Sequence, residues 1–131
     1  MNVLFDTSSI IALLVTNHQD HTKSLTSYKN LKKQGGTFYI SVHSIAELYR
    51  TLTWGKAYLN YSPNKARSVI QKSVLPFFKR VSLSENDYLH VLSRMEDLKL
   101  TGPIFYDGLI SHAAAKVDAH YLVTFNAKDF Q

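Results

Sequence analysis

Four carboxylates stand at comparable places in the chain. Asp6 follows NVLF, which reads as a buried strand, Glu47 lies in SVHSIAELYRTL, Asp107 lies in IFYDGLISHAAA, and Asp129 lies in LVTFNAKDFQ three residues after Asn126. Each falls where a strand or loop is expected to hand over to the next element. A charge at the end of a core strand is costly unless it is paired, solvated or used on a metal. Carboxylates gathered in one place, without Cys or His at ligand spacing, suit a hard cation such as Mg²⁺ or Mn²⁺. Two such ions can clamp a phosphodiester, activate a water and steady the leaving oxygen.

Each acid also has a local reading. Asp6 and Asp107 could cap helices. Glu47 follows Ser44 by three residues, the S-x-x-E spacing of a capping box. Asp129 could be a surface acid near a frayed end. Taken singly these readings are sufficient, but they do not explain why four acids occupy matching places.

Other chemistries find less support. His18 and His21 form H-x-x-H at an expected helix start, but no third ligand follows at a matching spacing, so both are expected to be exposed. The remaining histidines are scattered and receive no general-base role, since a water on a metal needs none. Ser8 and Ser9 lack a nearby His or Lys base, which argues against a serine hydrolase. No glycine-rich phosphate loop is present. The absence of cysteine excludes disulfides, thiolate metal sites and thiol catalysis.

The elements that must position the acids alternate along the chain. Strands are expected over 2–5, 38–41, 78–83 and 121–124. Helices are expected over 8–15, 19–33, from before Glu47 to about 52, 63–74, 84–98 and 107–117. Gly35-Gly36 stops the second helix, Ser62-Pro63 starts the fourth, and Pro76 ends it. This alternation predicts a three-layer α/β/α domain around a mostly parallel sheet of four to five strands. Functional sites in such sheets lie outside the carboxyl ends of the strands, where the strand order reverses. Asp6 lies at such an end.

At 131 residues the chain reads as one domain, residues 1–131, large enough for a core of its own. No apolar run approaches the length of a membrane helix. The first residues carry no Lys or Arg and Asp6 interrupts them, so a cytoplasmic protein is expected rather than a secreted one. The net charge is +5, unevenly placed: Arg50 to Val81 holds seven basic residues, Lys56, Lys65 and Arg67 among them, and no acid. Aromatics are interleaved with them, so nucleic acid is a natural partner, the alternative being a solvated basic face.

With these residues in view, the chain resembles the PIN-domain family, and within it the VapC-type toxins of toxin–antitoxin pairs. The matching blocks are VLFDTSSIIALL, SVHSIAELYRTL, IFYDGLISHAAA and YLVTFNAKDF, in that order. The resemblance implies a Mg²⁺- or Mn²⁺-dependent endoribonuclease that hydrolyses phosphodiesters with two metals. Its metal-binding catalytic acids would be Asp6, Glu47 and Asp107, with Asp129 as the fourth and Asn126 as a polar neighbour. Thr7 and Thr124 would place hydroxyls beside the metal. It also implies a cognate antitoxin and a homodimer, for which the apolar and aromatic positions around Leu48, Tyr49, Leu52 and Trp54 offer a surface. Two other classes compete. A phosphoacceptor receiver domain needs an adjacent acidic pair after the first strand, where this chain has Thr7 and Ser8. A catalytically silent PIN-like binding module is the reading that Asn126 favours.

Overall fold

The computed structural model describes residues 1–54 and 59–125. Within them the order is β1 (Asn2–Phe5), α1 (Thr7–Leu14), α2 (His21–Lys33), β2 (Thr37–Ser41), α3 (Val42–Thr53), α4 (Pro63–Val69), β3 (Lys79–Val81), α5 (Glu85–Leu98), α6 (Ile104–Lys116) and β4 (Tyr121–Val123). A π-turn, Ile70–Val74, prolongs α4. No helix among the described residues is long and apolar enough to cross a membrane.

The four strands form one sheet, β3-β2-β1-β4, and every pairing in it is parallel. Both faces are covered, so β1 is apolar from Val3 to Phe5 rather than alternating. Its side chains still alternate in direction. Val3 and Phe5 join a core with Ile10, Phe38, Leu48 and Phe78, whereas Leu4 packs on the other face with Val81, Ile110 and Ala113. Phe5 makes edge-to-face contacts with Phe78, Phe38 and Tyr28, at centroid distances of 5.4, 5.9 and 6.3 Å. The expected three layers are present, with β1 at their centre.

The strand order reverses at β1: the chain steps from β1 to β2 to β3 on one side, and β4 returns to the other. Asp6 is the next residue after β1.

Several boundaries differ from the expectation, each for a local reason. α3 starts directly from β2, and Ser41 caps it by accepting the His43 N–H at 3.2 Å. Ser44 is therefore inside the helix, and the capping box with Glu47 does not form. α6 begins at Ile104, not at Asp107. Gly102 takes a positive φ of 64°, the fixed φ of Pro103 suits a helix start, and Asp107 is left in the first turn. His18 and His21 are half-buried rather than exposed. His18 Nδ1 accepts the Asp20 N–H at 3.0 Å, and His21 Nδ1 lies 2.8 Å from the Ala12 carbonyl, so both hold the turn between α1 and α2.

On the far side of the sheet, Asp87 ties α5 to α6. It completes a capping box with Ser84 and accepts from Lys116 Nζ at 2.7 Å and His112 Nε2 at 2.9 Å. The Lys116 ammonium first, then the Ser84 amide and His112, hold its carboxyl well below the usual carboxylate range. A depressed carboxylate contributes stability that is complete above its unfolded pKa of about 4 and is lost as pH falls towards its folded value. Asp87→Asn is therefore expected to lower the urea midpoint at pH 7, with the gap from wild type narrowing below about pH 4. A gap that stays constant into acid would mean that the charge of Asp87 is not what the neighbouring donors stabilise.

Candidate active site

The run Asp6-Thr7-Ser8-Ser9 leaves β1 and turns at once into α1. Asp6 caps that helix: Oδ1 accepts the Ser9 N–H at 2.9 Å and the Ser8 hydroxyl at 2.7 Å. The capping role occupies only one carboxylate oxygen, since Oδ2 accepts the Thr124 hydroxyl at the exit of β4. The Asp6 N–H donates to the Val123 carbonyl at 3.1 Å. The buried Ser9 hydroxyl lies 2.9 Å from the Asp6 carbonyl and 2.8 Å from that of Val123. Short hydroxyl side chains thus join the ends of β1 and β4, and a nearly buried carboxylate, 6% exposed, is fixed where the strand order reverses.

Glu47 reaches the same point from α3. Its Oε1 accepts the Thr7 hydroxyl at 2.9 Å, and Ser44 Oγ lies 3.2 Å from that hydroxyl. Thr7 is the residue after Asp6, so a single side chain links the two acids' positions across two elements. Glu47 is half-exposed, so one acid faces the interior and the other an opening.

The start of α6 approaches from the third side. The Tyr106 ring stacks on His43 at 5.9 Å with 17° between the planes, and His43 Nε2 is 4.0 Å from Glu47 Oε1. Asp107 follows Tyr106. It is half-buried.

This donor set is made of hard oxygens, which fits Mg²⁺ or Mn²⁺ and no softer ion. Among the described residues no three His, Asp or Glu side chains stand close enough to enclose an ion. Mg²⁺ does not require such a cage, because it binds through one or two carboxylates and keeps several waters. Asn126 and Asp129 lie outside the described residues, as does Lys56. Lys65 and Arg67 stand exposed on α4, with Lys65 Nζ 4.1 Å from the centre of the Tyr61 ring. α4 packs on α3, the helix that carries Glu47.

Sequence reasoning took Ser8 and Ser9 only as unsupported nucleophiles and passed over His43 and Tyr106. The signals were present: Asp6 with serines two and three residues on is a capping pattern, and His43 stands four residues before Glu47 on one helix face.

With this geometry in place, comparison with known proteins is informative. The PIN domain family model matches residues 3–131. Among curated proteins no sequence matches the chain. Solved structures share the fold. VapBC2 from Rickettsia felis, bound to a DNA fragment from its promoter, has a TM-score of 0.72 at 21% identity, over 99% of this chain and 91% of that one. VapC20 from Mycobacterium tuberculosis, a sarcin-ricin loop cleaving toxin, gives 0.71 at 12% identity, over 98% and 92%. FitAcB from Neisseria gonorrhoeae gives 0.71 at 19% identity, over 98% and 90%.

Proposed function

The chain belongs to the PIN-domain family, and on that premise we propose that it is a metal-dependent endoribonuclease, the toxin of a toxin–antitoxin pair, acting in the cytoplasm. The observation that carries this reading is the Asp6–Thr7–Glu47 link at the reversal point of a parallel sheet. Asp6, Glu47 and Asp107, with Asp129, would hold one or two ions of Mg²⁺ or Mn²⁺. A bound divalent ion supplies Lewis-acid polarisation of the phosphate and lowers the pKa of water. The chain's own residues do the positioning. The Ser9 amide and the Ser8 and Thr124 hydroxyls fix the Asp6 carboxylate, Thr7 fixes Glu47, and Asn126 would add a polar group beside Asp129. Lys65 and Arg67, with Lys56, would neutralise RNA phosphates. The activity of the M. tuberculosis neighbour, cleavage of the sarcin-ricin loop, supports RNA as the substrate class.

The complexes among the neighbours support an antitoxin partner. An apolar groove of about 770 Å³ between α3 and the end of α4 offers it a seat, lined by Val42, Ile45, Tyr49, Arg67, Ile70 and Leu75. The aromatic stretch noted in the sequence divides here: Leu48 and Leu52 are core, whereas Tyr49 and Trp54 are exposed. Leu89 and Leu92, more than half exposed on one face of α5, would meet a second copy in a homodimer.

Incubation of RNA with the protein and Mg²⁺ is expected to give products with 5′-phosphate and 3′-hydroxyl ends, and chelation should stop the reaction. Products ending in 2′,3′-cyclic phosphate, or cutting that survives chelation, would refute the mechanism. In the same assay the product of the adjacent reading frame is expected to stop cleavage, and light scattering should show a mixed assembly larger than two chains. A monomer indifferent to that product would remove the partner half of the proposal and leave the nuclease half standing.

A further inference from the structure

The acid-free basic stretch is one run in the sequence but two surfaces in the fold. Lys65 and Arg67 stand on α4, whereas Lys79 and Arg80 stand on β3, the edge strand of the sheet. There they meet Lys32 of α2 around a second concavity of about 700 Å³, which Tyr28, Pro76 and Phe77 also line. Gly36 and Thr37, at the entry to β2, form part of its wall. Thr37 pairs with Asn2 at the amino end of β1, and Asp6 follows the carboxyl end. Lys79 and Arg80 pair with Tyr39 and Ile40, so the concavity runs along the edge strand, two strands across the sheet from β1 and Asp6.

Three observations describe what it would hold. No carboxylate among the described residues pairs with Lys32, Lys79 or Arg80. Arg80 Nη1 donates to the carbonyls of Leu75 and Phe78, both at 2.7 Å, which fixes its guanidinium as a positive wall. Phe77 is 53% exposed, while Phe5, Phe38 and Phe78 are buried. Two ordinary causes account for part of this. Lysines in the last turn of a helix complement its dipole, and charged residues on an edge strand discourage pairing with other chains. Neither cause calls for an exposed phenylalanine beside the charges, and edge protection is weakened by one.

We infer that this concavity is a second contact surface for single-stranded RNA, with Lys32 and Lys79 on phosphates and Phe77 stacking on a base. The inference rests on the ribonuclease reading and adds a second grip at the sheet edge to it. Lysines beside an exposed aromatic fit a strand that offers both phosphates and π-faces better than they fit an acidic polypeptide, which offers charge alone.

The test measures binding of oligonucleotides of about 5 and about 25 nucleotides against salt concentration, in metal-free buffer so that bound RNA is not cut. Wild type should bind the longer strand more tightly and with a steeper salt slope. In Lys32→Ala/Lys79→Ala the slope for the longer strand should fall by about 1.4, since each phosphate contact on a single strand contributes about 0.7. Phe77→Ala should weaken binding of the longer strand about tenfold with the slope kept. All three side chains are largely exposed, and circular dichroism verifies that the variants fold. Wild-type slopes and affinities in both variants would overturn the inference and leave the nuclease reading intact. Equal binding of poly-glutamate would overturn it in favour of an acidic protein partner. Failure of wild type to bind RNA of either length would overturn both.

Discussion

Asp6→Asn is expected to reduce RNA cleavage about a thousandfold or more, equivalent to about 4 kcal/mol of barrier, and to weaken Mn²⁺ binding in calorimetric titration. The substitution is nearly isosteric but removes the charge. It also converts one acceptor oxygen into an NH₂ donor, which must face either the Ser9 amide and Ser8 hydroxyl or the hydroxyl of Thr124. Facing Thr124, the NH₂ group donates to the hydroxyl that Asp6 accepted from, so the hydrogen bond is kept in the reversed sense and the cost in stability is small. The two effects separate experimentally. Thr124→Val removes the hydrogen bond to Asp6 and leaves the charge, so it should lose about 1–3 kcal/mol of stability and much less activity. A folded Asp6→Asn protein that cuts RNA at the wild-type rate and titrates Mn²⁺ with unchanged affinity would exclude Asp6 from the chemistry.

The second large effect is expected at a residue with no side chain, Gly108. A Cβ placed on Gly108 would stand 2.8 Å from Met95 Cε and 2.9 Å from Val91 Cγ1. The methionine terminus can swing aside, but Val91 is 1% exposed and cannot. Gly108→Val adds two further methyl carbons to that contact, and the small gain in helix propensity over glycine does not offset it. The helices α5 and α6 must separate, at a cost of about 3 kcal/mol, which lowers the melting temperature by about 10 °C in a domain of this size. Because Asp107 is the preceding residue on α6, cleavage should also fall at temperatures where the variant is fully folded. Calorimetry with an activity assay about 20 °C below the variant's midpoint would check both. A variant that melts like wild type would show that the two helices are not in close contact.

The fold was largely legible in the sequence because its signals are local and strong. The apolar run before Asp6, the Gly35-Gly36 stop and the Ser62-Pro63 start each act within a few residues. The stop is confirmed by the positive φ of Gly35, 84°, and by the Gly36 N–H donating to the Leu31 carbonyl at 2.9 Å. What escaped depends on partners distant in the chain. Ser44 could not be told from a cap without knowing that β2 feeds α3 with no intervening loop. The hydroxyls of Thr7 and Ser9 acquire meaning only from Glu47 and Val123, 40 and 114 residues away. The basic run between Arg50 and Val81 looked continuous because linear distance hides the turn that sends its two halves to different faces.

The hydrogen bond between Asp6 and Thr124 spans 118 positions, and β1 pairs with β4 across a similar interval. Synthesis proceeds from the amino end at roughly 5–20 residues per second, so Asp6 exists for about ten seconds before Thr124 has been made. During that time the helix cap can form, but the second oxygen of Asp6 has no hydroxyl to orient it and β1 lacks one neighbour. Contacts this remote in the chain also make folding slow once synthesis is over. On the ribonuclease reading proposed above, this order would keep the nascent chain inert on the ribosome that is making it. On the same reading, the interval before the site closes is one in which the proposed antitoxin, if already made, would arrive first.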